Sequence, residues 1–331
     1  MHRPLASPFG KVRRAGEQIK NLEQEIKDFL DSQALTAGVE PYAFRELQRQ
    51  LSVHQFRQLG IPINAIEGAV LNHDGSIQLK CRVIEKFRIR LYTTQQPRTI
   101  EWSVMVGEIV HNLRSALDHV VWELSILHQS RLGNPVPADR IRRRDPWGLV
   151  TFPVTHNAGP NESAWKGAVG SKLKFVSPSV VEQIKKLQPF RTHRVHPDQH
   201  PLAILDDLWQ RDKHREIPLV SSLVRLDSIG PGGPIYREEG APSVGRTLVY
   251  RRRYGPVDHG VLLARVHLHP TSLLNHDALD EYVRDNLYFA FDITFDKGPS
   301  YYNGRRVIET LERLFSTVSA ILTRFQQTEF S

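Results

Sequence analysis

The segment His111-Asn112-Leu113-Arg114-Ser115-Ala116-Leu117-Asp118-His119 holds two histidines, an arginine, an aspartate and an asparagine within about two helical turns. At about 100° per residue, His111, Arg114 and Asp118 fall on neighbouring positions of one helix face. Asn112 and His119 share another stripe. Histidine titrates near neutral pH, and a guanidinium matches a phosphate through two parallel hydrogen bonds. A cluster this dense exceeds what a solvated helix face needs and marks a candidate site. The competing reading is structural: an Arg114–Asp118 pair at i,i+4, with the histidines in capping or interface positions.

A second cluster, Asp212-Lys213-His214-Arg215, ends a helix opened by Pro201. Leu202, Leu205, Leu208 and Trp209 define the buried arc of that helix. Asp212 follows Leu205 by seven residues and falls inside the arc. A carboxylate aimed at a core needs a partner, so the two helices are expected to pack, with Asp212 against Arg114 or His111. Lys213, His214 and Arg215 then crowd a helix C-terminus, where the dipole favours cations.

The third candidate is a strand. Ile77, Leu79, Cys81, Val83, Phe87, Ile89 and Leu91 share one parity; Lys80, Arg82, Lys86, Arg88 and Arg90 share the other. That is a period of two, apolar on one face and basic on the opposite one. The basic face suits a phosphate backbone, with Tyr92 placed to stack a base; it equally suits a solvated sheet face or a charged edge strand. Arg140 to Arg144 and Arg251 to Arg253 are further basic runs. RNA or another polyanion is the expected partner.

Fifteen histidines raise the question of metal. His267 and His269 are spaced to share a strand face, with Asp292 or Asp296 as a third ligand, which would suit a metal-dependent hydrolase. His193, His196 and His200 sit in a proline-containing loop. Neither set completes a known metal pattern, and no cofactor is expected. The chain has no Walker phosphate loop and no nucleophile elbow. Cys81, on the apolar face of its strand, reads as buried rather than nucleophilic.

The segments His111 to His119 and Asp212 to Arg215, with Phe152-Pro153 and Ile293-Thr294-Phe295, resemble a family of uncharacterised bacterial proteins over most of the chain. That resemblance implies no activity. Arg114 to His119, read as Arg-x4-His in a helix, is also similar to the motif of HEPN-superfamily ribonucleases, although Ser115 stands where they usually carry a larger polar residue. This resemblance implies metal-independent RNA cleavage, an acid–base role for His119, a phosphate clamp at Arg114, and a homodimer with the site at its interface. The alternative is a non-catalytic binding or interaction protein whose polar helix cluster is a structural network.

The elements that must position these groups follow from periodicity. Helices are predicted at 11–32, 102–128, 178–188, 201–215 and 305–326, and sheet segments at 77–92 and within 217–296. Glu85 interrupts the apolar strand face, so a bulge or a second strand is expected there. Residues 42–73 are ambiguous, and 129–176 reads as a covering loop or a set of short strands. Helices, then strands, then a closing helix predict an α+β fold: a central helix at 102–128 with N- and C-terminal helices, packed with a largely antiparallel sheet in one intertwined domain, 1–331.

Bulk composition agrees with a globular chain. The 331 residues are 40% hydrophobic and 24% charged, with a formal net charge of +8. A single cysteine excludes an intramolecular disulfide framework. No apolar run approaches the ~20 residues of a membrane span, and residues 1–10 lack a signal-peptide core. A cytoplasmic location without membrane attachment is expected.

Overall fold

The computed structural model describes residues 5–32, 35–52, 54, 69–134, 149–159, 162–193, 195–228, 235–237, 248–251, 255–256, 259–260, 262–267, 287–296, 298–299 and 301–330. The fold is α+β. The chain, expected as one intertwined domain, divides into two compact units, each drawn from separated segments. The helical unit comprises Met1–Asp28, Pro97–Val220 and Ile293–Ser331; the sheet unit comprises Phe29–Gln96 and Ser221–Asp292.

The helical unit is built around α2, Thr99–Arg131, with α1 at Ala6–Asp31 and α7 at Val307–Glu329. Between α2 and α7 come α3 (Ser163–Lys172), α4 (Pro178–Lys186), α5 (Pro189–Thr192) and α6 (Pro201–His214). The predicted stripe of α2, running through Val106, Ile109, Val110, Leu113, Leu117, Val120, Val121 and Leu124, is buried throughout. Trp102, Ser103, Gly107, Arg114 and Ala116 are buried as well. Such a wide buried arc marks a central helix with neighbours on several sides. α6 and α7 both pack on α2. α7 buries Val307, Leu311, Leu314, Val318, Ile321, Leu322 and Phe325, each contributing roughly 1.5–3 kcal/mol. α1 lies along α2 through polar contacts: Asn112 donates to Gln18 at 2.9 Å, and Gln18 donates to Glu108 at 2.7 Å.

Local chemistry sets the starts of the shorter helices. Ser177 accepts the Val180 N–H ahead of Pro178, and His200 Nδ1 accepts the Leu202 N–H at 3.1 Å ahead of Pro201. Each is an N-cap followed by proline at the first helical position. Capping requires a neutral imidazole. Burial, then the neighbouring His193, pushes the His200 pKa down to about 4 from 6.5. Below 6.5 the unfolded chain takes up this proton before the folded one does. The stabilisation is complete above 6.5 and is lost as pH falls through that window toward about 4. His200→Asn keeps a capping acceptor and removes the titration. The unfolding free energy from urea titration should therefore fall less between about pH 7 and about pH 4.5 in the variant, the difference being on the order of 2 kcal/mol. Parallel curves for the two proteins would contradict the assignment.

In the sheet unit, strands β1 (Leu35–Ser52), β3 (Ser76–Thr93), β8 (Leu262–His267), β6 (Leu248–Arg251) and β5 (Ile235–Arg237) lie in that order, with β2 (Ala69–Leu71) also paired to β3. All of these pairings are antiparallel except β5 with β6. A second sheet has the order β7 (Gly255–Pro256), β4 (Leu219–Ser228), β9 (Leu287–Phe295), and the boundary between the two units falls within β4 and β9.

The 42–73 stretch, ambiguous from sequence, contains most of a strand. β1 pairs with β3 from Leu35↔Thr93 to Ser52↔Ser76. Its register shifts at Pro41, Ala43 and Phe44, leaving Tyr42 and, opposite it, Glu85 without Cα partners. The interruption foreseen at Glu85 is thus a bulge within one continuous strand. Ile77, Phe87, Ile89 and Leu91 are buried at one parity, and Ile84, beside the bulge, is buried at the other. A proline at an edge strand's bulge forfeits no ladder hydrogen bond. The predicted covering loop at 129–176 contains the helix α3; Arg140 to Arg144 lie outside the described residues. Among the described residues, no helix is long and apolar enough to cross a membrane.

Candidate functional site

α6 runs antiparallel to α2. Asp206 meets Arg114, Asp212 meets Gly107, and the Ile217 N–H just beyond α6 donates to Ser103 at 3.1 Å. Gly107 permits this approach, because a Cβ at that position would collide with the Asp212 carboxylate.

Arg114 is only 3% exposed. Its Nη1 donates to Asp118 Oδ1, and its Nη2 donates to the Phe152 carbonyl at 2.8 Å. Nε lies 3.5 Å from Asp206 Oδ1 without hydrogen-bond geometry. The guanidinium also lies 4.9 Å from the Trp209 ring centroid. Asp118 completes the clamp by accepting the Phe152 N–H at 2.9 Å. Burial pushes the Asp118 carboxyl above its ordinary range, with the charge of Arg114 opposing that shift. One arginine and one aspartate thereby hold both backbone groups of Phe152, whose ring is fully buried.

The carboxylate paired with Arg114 across the helices is therefore Asp206; of the two partners expected for Asp212, Arg114 or His111, it stands beside His111. Helix packing was foreseen, but the axial level was not. Position 107 precedes 114 by seven residues, about 10 Å along an α-helix. Asp212 is exposed and stands beside His111. The Asp212 carboxylate packs against Gly107, and that partial desolvation raises its pKa, with His111 opposing the shift. Asp212, His111, Asn112, Glu108, Gln18, Arg14, Val104 and Gly107 line an open cleft of about 540 Å³.

His119 projects away from Arg114. Five residues separate them, about 140° around the helix, and His119 Nδ1 lies 2.9 Å from Ser7 Oγ on α1. Burial, then Lys11, lowers its pKa. His119 and Asn112 both face α1, as their shared stripe predicts. In the second cluster, Lys213 Nζ stands 3.0 Å from the Trp209 ring centroid, while His214 and Arg215 are exposed at the end of α6. The two clusters are thus brought together only in part. Arg114 and Asp118 form the Phe152 clamp, with Asp206 added and Lys213 reaching the same tryptophan. His111 and Asp212 share the cleft, whereas His119 stands apart from both.

The sheet unit carries the basic face. Arg88 is paired with Arg265, and Lys86 with His267, so these four side chains share one face of adjacent strands. Phe87, Ile89, Leu91, Ala264 and Val266 are buried on the opposite face. Arg90 is committed within the unit, donating to Glu40 at 2.9 Å and to the Gly260 carbonyl at 2.8 Å. Lys80 and Arg82 belong to β3, but their side chains lie outside the described residues, as does Cys81.

Tyr42, the bulged residue of β1, lies across this face. The Arg88 guanidinium is 4.5 Å from its ring centroid, and its hydroxyl is 3.5 Å from His267 Nε2. Tyr92, the aromatic singled out from sequence, instead covers Gly38 and donates to Glu40 at 2.8 Å.

His267 contacts Tyr42, and burial followed by Lys86 pushes its pKa below the ordinary imidazole range. His269 lies outside the described residues. Among the described residues, no group of three or more histidine, cysteine, aspartate or glutamate side chains is arranged to hold a metal ion. No family model, curated protein or solved structure matches the chain.

Sequence reasoning missed Asp206, Tyr42 and Arg265. Asp206 follows Leu202 by four residues and so flanks the buried arc of α6, which is a usable signal. Tyr42 is placed by the bulge and Arg265 by strand pairing, and neither leaves a local pattern.

Proposed function

We propose that this chain is a non-catalytic binding protein that holds RNA or another polyanion on the basic face of its sheet unit. On this reading, the polar cluster of α2 is a structural network. The observation that carries it is the sealing of Arg114. A phosphate could reach that guanidinium only by displacing Asp118, Asp206 and the Phe152 carbonyl from a site 3% exposed to solvent. A buried arginine so engaged clamps the fold rather than a ligand. Lys86, Arg88 and Arg265, by contrast, share a sheet face. A polyanion bound there gains by releasing its counterions, so affinity should fall steeply with salt.

The test is fluorescence anisotropy of labelled RNA at several salt concentrations. Wild type should bind at low salt, and the triple variant K86A/R88A/R265A should bind at least ~10-fold more weakly, with a shallower salt slope. Equal binding by both proteins, or no binding by wild type at low salt, would overturn the proposal.

A second reading keeps the ribonuclease chemistry, and the state of His119 favours it. Partial burial and then Lys11 lower the pKa of this imidazole, which favours the neutral form that can accept a proton, and Nδ1 lies beside Ser7. Arg114 would then position the helix through Asp118 and Phe152 rather than bind phosphate.

A further inference from the structure

We propose that the polyanion is a single-stranded nucleic acid, with a base stacked on Tyr42 and the backbone running along Lys86 and Arg88 toward Arg265; this rests on the polyanion reading above. The charge alone suits any polyanion. Tyr42 distinguishes among them. The residue is 37% exposed, although it sits within a six-stranded sheet. The bulge at Pro41, Tyr42 and Ala43 takes it out of the regular pairing, and bulges characteristically re-aim a side chain. Arg88 lies over the ring and the His267 imidazole stands at its hydroxyl, so the aromatic is held against one cation on the basic face.

An exposed aromatic held against arginine on a basic strand face is the arrangement that stacks unpaired bases. A duplex keeps its bases in the stack and offers Tyr42 no such surface. Successive cations on one strand face are separated by about 6.6 Å, a spacing that an extended single strand can follow with its phosphates. The face also has counter-charges. Glu85 lies 3.9 Å from Lys86, and Glu40 neutralises Arg90. Glu40 pairs across the strands with Arg88, and the Tyr92 hydrogen bond, then Arg90 and Arg88, hold its carboxyl below the ordinary range. The positive field of the face is therefore partly offset, and stacking on Tyr42 adds to what Lys86, Arg88 and Arg265 contribute.

Three probes separate the sources of affinity: a short oligouridine, an RNA duplex of the same length, and inorganic polyphosphate. Each is titrated into full-length wild type, Y42F, Y42A and R88A at one salt concentration. Wild type should prefer oligouridine to the duplex by roughly tenfold or more. Y42A should lose roughly 5- to 100-fold for oligouridine and hold polyphosphate unchanged, while Y42F, which keeps the ring, should retain binding. R88A should weaken all three. If Y42A binds oligouridine like wild type, or weakens all three probes equally, the stacking inference falls while the polyanion reading stands. If wild type binds none of the three at low salt, both fall.

Discussion

Replacing Phe152 with alanine is expected to destabilise the folded chain by about 3–5 kcal/mol. The Phe152 side chain is fully buried, so truncation loses its transfer free energy and leaves a cavity that close-packed neighbours fill only in part. The residue also has a second attachment. Its N–H and C=O are both engaged, by Asp118 and Arg114 respectively. The backbone cannot relax into the cavity without loosening those bonds, which places the expected value toward the upper end of the range. Denaturant unfolding followed by circular dichroism measures it. A loss below about 1 kcal/mol would mean that the segment is not anchored where the structure has it.

Replacing Arg114 with methionine is expected to cost about 3 kcal/mol. Methionine keeps much of the apolar stem and removes the guanidinium. Asp118 and Asp206 are then left facing each other's charge, and the Phe152 carbonyl loses its donor. The figure is set at the low end for breaking a buried pair because the two carboxylates are 21% and 22% exposed and keep some water. Arg114→Lys should recover only part of the loss. An ammonium is a single compact donor centre, whereas this site uses separate nitrogens toward Asp118, Phe152 and Asp206. Since Arg114 and Phe152 serve one anchor, the double variant should cost less than the sum of the singles, by roughly 0.5–3 kcal/mol. Strict additivity in that cycle would contradict a shared role.

The parts of the fold readable from sequence were those with strong periodicity. The stripes of α2 and α7, the serine–proline start of α4 and the alternation of β3 from Phe87 to Leu91 each match the observed burial. β1 was obscured because Gly38 and Pro41 punctuate it and Tyr42 breaks its alternation. These are the residues that the edge and its bulge tolerate, and only pairing with β3 reveals the strand. α3 was missed because its pattern is nearly flat, with Trp165 its one buried residue.

In the site, angular position around a helix was readable, and axial level between helices was not. Arg114 at the edge of an apolar arc and the i,i+4 match to Asp118 both follow from about 100° per residue. The choice of Asp206 over Asp212 depends on how far α6 slides along α2. That slide is set by packing at Gly107 and Ser103, which no local pattern records. The basic face followed the same rule. Lys86 and Arg88 were legible along one strand, while Arg265 and Tyr42 came from neighbouring strands.

On the proposed reading, this chain holds a polyanion on the sheet face without cutting it. The most direct test is to incubate labelled RNA with wild type, H119A and K86A/R88A/R265A in low-salt buffer containing EDTA, following bound fraction and RNA length in the same samples. The prediction is intact RNA throughout, equal binding by wild type and H119A, and weakened binding by the triple variant alone. RNA shortened by wild type and spared by H119A would contradict the claim and assign the chemistry to α2.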